Sequence, residues 1–173
     1  MIEGSHIRLR QWRDEDLPSL TAWRNDVALQ TQLMARPRGS DVAKVRSWLE
    51  SRTSSADRLF LIAATLETDE AIGYIQFENL NLVDRHGELG ICLAPSRQNK
   101  GYGTEAILLV AGYMHATWGL RKISLRVLAD NQRAIKSYAK CGFVECGRMR
   151  KHFLVDGQWK DVLLMELFVG EVA

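Results

Sequence analysis

Apolar positions in this chain change period several times, and each change marks an element. Residues 7–10 read Ile-Arg-Leu-Arg, an alternation that fits a short half-buried strand. Before it, Met1 and a polar Glu3-Gly-Ser-His6 stretch read as a short disordered lead. Leu17, Leu20, Trp23 and Val27 then recur at helical spacing. Asp14-Glu-Asp16 places acids at the start of that helix, and Pro18 fits its first turn, where a missing N–H costs least. Arg36-Pro-Arg-Gly-Ser40 breaks the chain, and residues 41–52 form a second helix with Val42, Val45 and Leu49 on one stripe. Residues 58–66 and 71–78 read as strands joined at Asp69-Glu70 into a hairpin. Residues 79–86 are polar and loop-like, and 87–95 form the next strand. The apolar run 104–118 puts Ile107, Val110, Ala111, Met114 and Trp118 on one helix face, with Gly119 in the C-terminal glycine position. Ile123, Leu125 and Val127 alternate along a further strand. Asp130-Asn131 caps a short helix carrying Ala134, Ile135 and Tyr138 on one side. Residues 143–149 and 159–169 are the last strands, with Asp156-Gly157 as a hairpin turn.

This order predicts an α+β (mixed α/β) fold: a mixed sheet with helices on both faces. Residues 87–141 form a strand-helix-strand-helix block, which implies parallel strands and a right-handed crossover. The length of 173 residues suits one domain, and 46% hydrophobic content suits a globular one. A net charge of +2 gives no general electrostatic case for nucleic acid or a membrane surface. With no run of about 18 apolar residues and no signal-peptide pattern, the expected location is cytoplasmic. Cys92, Cys141 and Cys146 are odd in number and lack metal-ligand spacing, so they read as small core hydrophobes, and no metal site is expected.

The candidate chemistry centres on Leu93-Ala-Pro-Ser-Arg-Gln-Asn-Lys-Gly-Tyr-Gly103. A strand ends, a basic loop follows, and Gly101-x-Gly103 opens the apolar helix. Backbone N–H groups at a helix N-terminus, reinforced by the helix dipole, form an anion site suited to phosphate or pyrophosphate. Arg97 and Lys100 would add charge there. A plain strand-to-helix turn is the bland alternative. Gly101-x-Gly103-x-x-Ala106 also fits a dinucleotide fingerprint, with Asp130 ending the next strand. That fingerprint requires a strand running almost directly into the first glycine, whereas seven residues separate Leu93 from Gly101. Too little chain follows for a doubly wound sheet and a substrate domain.

Gln98-x-x-Gly101-x-Gly103 after a strand resembles the pyrophosphate-binding motif of the GNAT superfamily of acyl-CoA N-acyltransferases. Asn131-Gln-Arg-Ala134-Ile-Lys-Ser-Tyr138-Ala-Lys-Cys-Gly142-Phe143 resembles that family's second signature, and the spacing between the two agrees. Ala71-Ile-Gly73, Glu88-Leu-Gly90, Gly103-Thr-Glu105-Ala106 and Asp156-Gly157-Gln-Trp-Lys-Asp161 resemble the branch of ribosomal-protein alanine and spermidine acetyltransferases. Trp23-Arg-Asn25 resembles acetyltransferases acting on amino sugars on nucleotide carriers. The resemblance implies one N-acetyltransferase domain over residues 7–168. It also implies a six- to seven-stranded, mostly antiparallel sheet with a splayed central parallel pair.

By the same resemblance acetyl-CoA is the co-substrate. Ile91, Cys92 and Leu93 would pair their backbone with its pantetheine arm. Gln98, Asn99, Lys100, Gly101, Tyr102, Gly103 and Thr104 would hold the pyrophosphate. Asn131 would bond near the pantetheine end, with Arg133 or Lys136 near the phosphates. Tyr138 matches the family tyrosine beside the thioester sulfur, where a phenol with a pKa near 10 serves as general acid; helix packing is its other reading. Arg126 stands where some members carry a glutamate base, which makes Glu88 the candidate, although Glu88 would equally bind an acceptor cation or cap the strand. Glu105 reads as structural or as facing the acceptor cleft, and Cys92 as structural rather than an acyl carrier.

The acceptor is expected between the first two helices and the closing hairpin, lined by Trp23, Arg24, Asn25, Gln32 and the loop around His152. It would be a small molecule, such as an amino sugar on a nucleotide carrier or a polyamine, or a protein N-terminal amine. Arg24, Arg36 and Arg38 suit an acceptor bearing phosphate or carboxylate, unless they are simply solvated. The alternatives are a non-catalytic acyl-CoA-binding module and a nicotinamide-dependent oxidoreductase. An exposed strand edge and the last hairpin suit a homodimer.

Overall fold

The structure is a computed structural model and describes residues 1–170. Its centre is an eight-stranded sheet in the order β1-β2-β3-β4-β5-β6-β8-β7. The strands are β1 (Ile2–Glu3), β2 (Ile7–Arg10), β3 (Leu59–Thr65), β4 (Ala71–Asn81), β5 (His86–Leu93), β6 (Lys122–Leu128), β7 (Val144–Val155) and β8 (Gln158–Phe168). All neighbours are antiparallel except β5 and β6. The sheet thus exceeds the expected six to seven strands. The added strand is β1, which pairs Ile2 with Leu9 and Glu3 with Arg8.

That pairing corrects the expectation of a disordered lead, and its cause is Glu105. From the first turn of helix α4, its carboxylate accepts the backbone N–H of His6 at 2.8 Å and of Ile7 at 3.4 Å. The side chain therefore serves the fold and is turned away from the acceptor cleft.

Helices α1 (Leu17–Asn25), α2 (Val27–Gln32) and α3 (Val42–Thr53) cover one face, and α4 (Tyr102–Trp118) and α5 (Gln132–Lys140) the other. The period-2 rule separates the two layers. Phe60, Ile62 and Ala64 of β3 meet Leu17, Leu20, Trp23, Val45 and Leu49. Ile75 and Phe77 of β4 meet Ala106, Ile107, Val110 and Met114 on the opposite side.

The sequence predicts one helix from Leu17 through Val27, but the chain breaks at Asp26. Asp26 is extended (φ −72°, ψ 104°), and its side chain accepts the N–H of Leu29 as the cap of α2. Val27 is accordingly exposed. Asp16 is no surface dipole acid either. It is buried and accepts both Arg10 guanidinium nitrogens, at 2.8 and 2.9 Å, and the Arg13 N–H at 2.8 Å. Trp118 and Cys146 are exposed, not core residues as their spacing implied. Cys92 and Cys141 are buried. No described helix is long and apolar enough to cross a membrane.

The parallel pair fixes the site. β5 and β6 pair only at His86–Lys122, Gly87–Ile123 and Glu88–Ser124. Past Glu88, β5 continues to Leu93 paired with β4 alone, while β6 continues to Leu128 paired with β8. A wedge opens within the sheet, and the loop leading to α4 lies at its wide end.

Candidate active site

The wedge is the floor of a cleft of about 720 Å³. One half is built from β5, the loop before α4, and α5. Leu93 ends β5, a 3₁₀ turn spans Pro95–Arg97, and Asn99 and Gly101 take left-handed φ of 62° and 85°. Only glycine adopts the Gly101 conformation without cost, and it caps α4. The Gln98 amide donates to the Leu93 carbonyl at 3.0 Å, pinning the loop to the strand. The first backbone N–H groups of α4 lack intrahelical partners and lie in the cleft wall at Gly101, Gly103 and Thr104. Thr104 Oγ1 meets Ser137 Oγ at 3.3 Å, so the start of α4 is tied to α5.

From α5, Arg133, Lys136, Ser137, Tyr138 and Lys140 line the same half. Asn131 caps the helix by accepting the Ala134 N–H at 3.2 Å, which leaves its side-chain NH₂ for a ligand. Arg133 donates to Gln32 at 3.0 Å. This basic rim and the helix N-terminus give this half of the cleft its positive potential. Ile91, Cys92, Leu93, Gln98 and Asn99 line the cleft as well, whereas Lys100 and Tyr102 do not. Lys100 is solvent-exposed, and Tyr102 packs on the core. Arg97 is also absent from the cleft wall, being paired with Glu70 at 2.6 Å.

Tyr138 lines the cleft from α5. Its ring packs against Phe143 with centroids 6.0 Å apart and tilted by 58°. Burial pushes its phenol up to about 12, opposed by Arg133 and reinforced by Cys141. The hydroxyl is therefore protonated throughout the physiological range. Burial likewise pushes the Cys92 thiol up to about 12, with the Tyr74 hydroxyl pulling it down and Asp26 raising it. A thiol held protonated is a poor nucleophile.

The other half lies between the sheet and α1–α3. Tyr74, Gln76 and Glu78 alternate on β4 toward this face. Glu78 sits directly across from Glu88 in the β4–β5 register. Glu88 pairs with Arg126 at 2.7 Å, and Glu78 with Arg52, which also donates to Gln76 at 3.1 Å. Arg24 and Gln32 line this half, with Trp48 beside them. Trp23 and Asn25 do not. Trp23 is in the core, and Asn25 exchanges hydrogen bonds with the Ser40 backbone at 2.7 and 2.8 Å. Arg36 donates to the Leu154 carbonyl at 2.7 Å and covers the Phe153 ring. His152 and Phe153 reach the cleft from β7. Sequence reasoning missed Arg52, Trp48, Gln76 and Glu78. The polar alternation on β4 was the signal for the last two; Trp48 and Arg52 are four apart on α3, on one helical stripe.

Residues 6–144 match an acetyltransferase (GNAT) domain model. The chain belongs to the GNAT acetyltransferase family. It is 32% identical over 111 residues to the spermidine N(1)-acetyltransferase of Vibrio cholerae, a match covering 64% of this chain and 63% of the relative. The spermidine N(1)-acetyltransferase of Escherichia coli K12 is 27% identical over 97% of this chain and 89% of its own length. The crystal structure of the Vibrio cholerae spermidine N-acetyltransferase in complex with CoA and spermine superposes with a TM-score of 0.88 at 24% identity, over 95% of this chain and 96% of that one. That likeness establishes the GNAT fold: a mostly antiparallel sheet with one parallel pair and helices on both faces. Among the described residues no cluster of acidic, histidine and cysteine side chains could hold a metal ion.

Proposed function

We propose that this GNAT protein transfers the acetyl group of acetyl-CoA to a primary amine by direct attack in a ternary complex. The observation that carries the proposal is the wedge between β5 and β6, with the N-terminus of α4 and Tyr138 in the wall of the same cleft. An extended pantetheine chain fits beside residues 89–93, whose backbone has no strand partner on that side. The N–H groups at Gly101, Gly103 and Thr104 suit the pyrophosphate, and Arg133 and Lys136 add charge around it.

Attack by the amine places negative charge on the thioester oxygen, and a backbone N–H of residues 89–93 stabilises it. Collapse of the tetrahedral intermediate expels a thiolate, and Tyr138 donates its phenolic proton toward the sulfur. The amine must first lose a proton. Glu88 accepts it directly or through one water, with Arg126 orienting the carboxylate at 2.7 Å. Replacing Glu88 by Gln is expected to lower kcat about 100- to 10,000-fold, the ordinary range for a general base. Its partner Arg126 is half-exposed, so stability should change by less than about 1 kcal/mol.

The first test is parallel calorimetric titration with acetyl-CoA, NADH and NADPH. Binding of acetyl-CoA alone supports the proposal; binding of a nicotinamide cofactor in its place overturns it. The nicotinamide reading needs Asp130 for a ribose, and Asp130 is instead paired with Lys160 at 3.0 Å. The binding-module reading predicts no release of CoA with any amine. The names of the two relatives point to a polyamine acceptor; the arginines of this chain's acceptor half point to a different one.

A further inference from the structure

The acceptor half of the cleft holds more positive charge than its carboxylates balance. Arg24, Arg52 and Arg126 face Glu78 and Glu88. Arg52 is paired with Glu78, and Arg126 with Glu88. Arg24 has no carboxylate within ion-pairing distance among the described residues, and its Nε is buried without a hydrogen-bond partner. The nearest acid along the chain, Asp26, spends its carboxylate on the N–H of Leu29. Arg24 instead lies over the Trp48 ring at 4.1 Å, and Arg52 lies over the same ring at 5.0 Å. Two guanidiniums thus share one aromatic ring, and of the two Arg52 alone has a carboxylate partner among the described residues.

This arrangement is costly without a counter-charge. Burial is the main influence disfavouring the charged form of Arg24, and the Arg52 charge adds to it, against a favourable influence of Tyr74. An arginine does not escape by losing its proton. The compensation has to come from an anion, and a planar guanidinium fork is suited to carboxylate and phosphate oxygens. A polycation meets the opposite situation, since both cleft carboxylates already have arginine partners.

We propose that the acetyl acceptor carries, besides its amine, a carboxylate or phosphate group that pairs with Arg24, with Arg52 alongside, and that polyamines are rejected for lack of it. The inference rests on the acetyl-transfer reading above and narrows its acceptor. The amine end then lies toward Glu88 and the wedge, and the anionic end toward α1 and α3.

The test uses CoA-saturated protein and matched amines in calorimetric titrations. Glucosamine 6-phosphate is compared with glucosamine, and glycylglycine with glycylglycinamide; these two arms separate phosphate from carboxylate. Spermidine is the polycationic control. In at least one arm the anionic member should bind about 10- to 150-fold tighter than its neutral partner, the equivalent of one hydrogen-bonded charge pair of about 1.5–3 kcal/mol. Spermidine should not bind. Arg24→Gln and Arg24→Met should erase the preference and leave CoA affinity unchanged. Equal or undetectable binding of the charged and neutral members overturns the inference, as does binding of spermidine to the wild type. Survival of the preference in both variants overturns it too. Failure of the protein to bind CoA appears before any amine is added, and strikes the acetyl-transfer reading instead.

Discussion

Replacing Tyr138 by Phe removes one oxygen and leaves the ring against Phe143. The hydroxyl makes no hydrogen bond to another described residue, so the fold should be indifferent and Tm should move by less than about 2 °C. Catalysis should not be indifferent. With the phenol near 12 and an ordinary thiol near 8.5, complete proton transfer to a free thiolate is uphill by about 5 kcal/mol. Tyr138 therefore acts chiefly by donating a hydrogen bond as negative charge builds on sulfur. A hydrogen bond to a charged group contributes about 1.5–3 kcal/mol, so kcat should fall about 10- to 150-fold. The assay is the initial rate of CoA release, followed with a thiol reagent, using the best amine from a screen. Because the phenol stays protonated well above neutrality, the ratio of wild-type to variant kcat should be flat between pH 6 and about 10. A ratio below about 3, or one that collapses within that range, would refute the reasoning. An unchanged acetyl-CoA affinity shows that the loss lies in chemistry.

Three further predictions concern the scaffold. Asp16→Ala leaves the buried Arg10 with only Asp69 as a carboxylate partner, and should lower unfolding free energy by about 3 kcal/mol in urea titrations. Gly73→Ala would drive its Cβ into the Cys92 carbonyl and the Leu93 side chain. It should cost about 1–3 kcal/mol and weaken acetyl-CoA binding by displacing the end of β5, a coupling that calorimetry would detect. Burial raises the Glu105 carboxyl, but hydrogen bonds from His6, Ile7 and Ser5 outweigh it and leave the carboxyl lowered. Its stabilisation is therefore fully present above the ordinary glutamate range and lost as pH falls through the lowered value. The Tm gap between wild type and Glu105→Gln should be open at pH 7 and narrow as pH falls below the ordinary glutamate range; a constant gap would contradict this.

Elements with strong local signals were legible in the sequence, because hydrophobic period and caps act within a turn or two. The α4 helix, its glycine loop and the Asn131 cap are examples. Contacts closing over long sequence distances were not. Glu105 recruits His6 from 99 residues away, and no local pattern marks that partner, so the N-terminus read as disordered. The proposed cofactor half of the cleft is built from β5, one loop and α5, and of the residues expected there all but Arg97, Lys100 and Tyr102 line the cleft. The acceptor half is assembled from α1, α3, β4 and β5. Trp23 and Asn25 read as site residues through the resemblance of the Trp23-Arg-Asn25 triplet, yet helical geometry turns neighbours to different faces. Only the fold could bring Arg52 and Glu78 to Arg24.

The divergence of β5 from β6 gives this sheet a third edge, and it is an internal one. Natural sheets guard their outer edges with charge, bulges or short strands, but a cleft that must receive an extended chain cannot be guarded that way. In the binding mode proposed above, acetyl-CoA along residues 89–93 would also act as a stopper against strand invasion. Resistance to aggregation should therefore track the cell's acetyl-CoA supply, which links the lifetime of the protein to the metabolite it consumes.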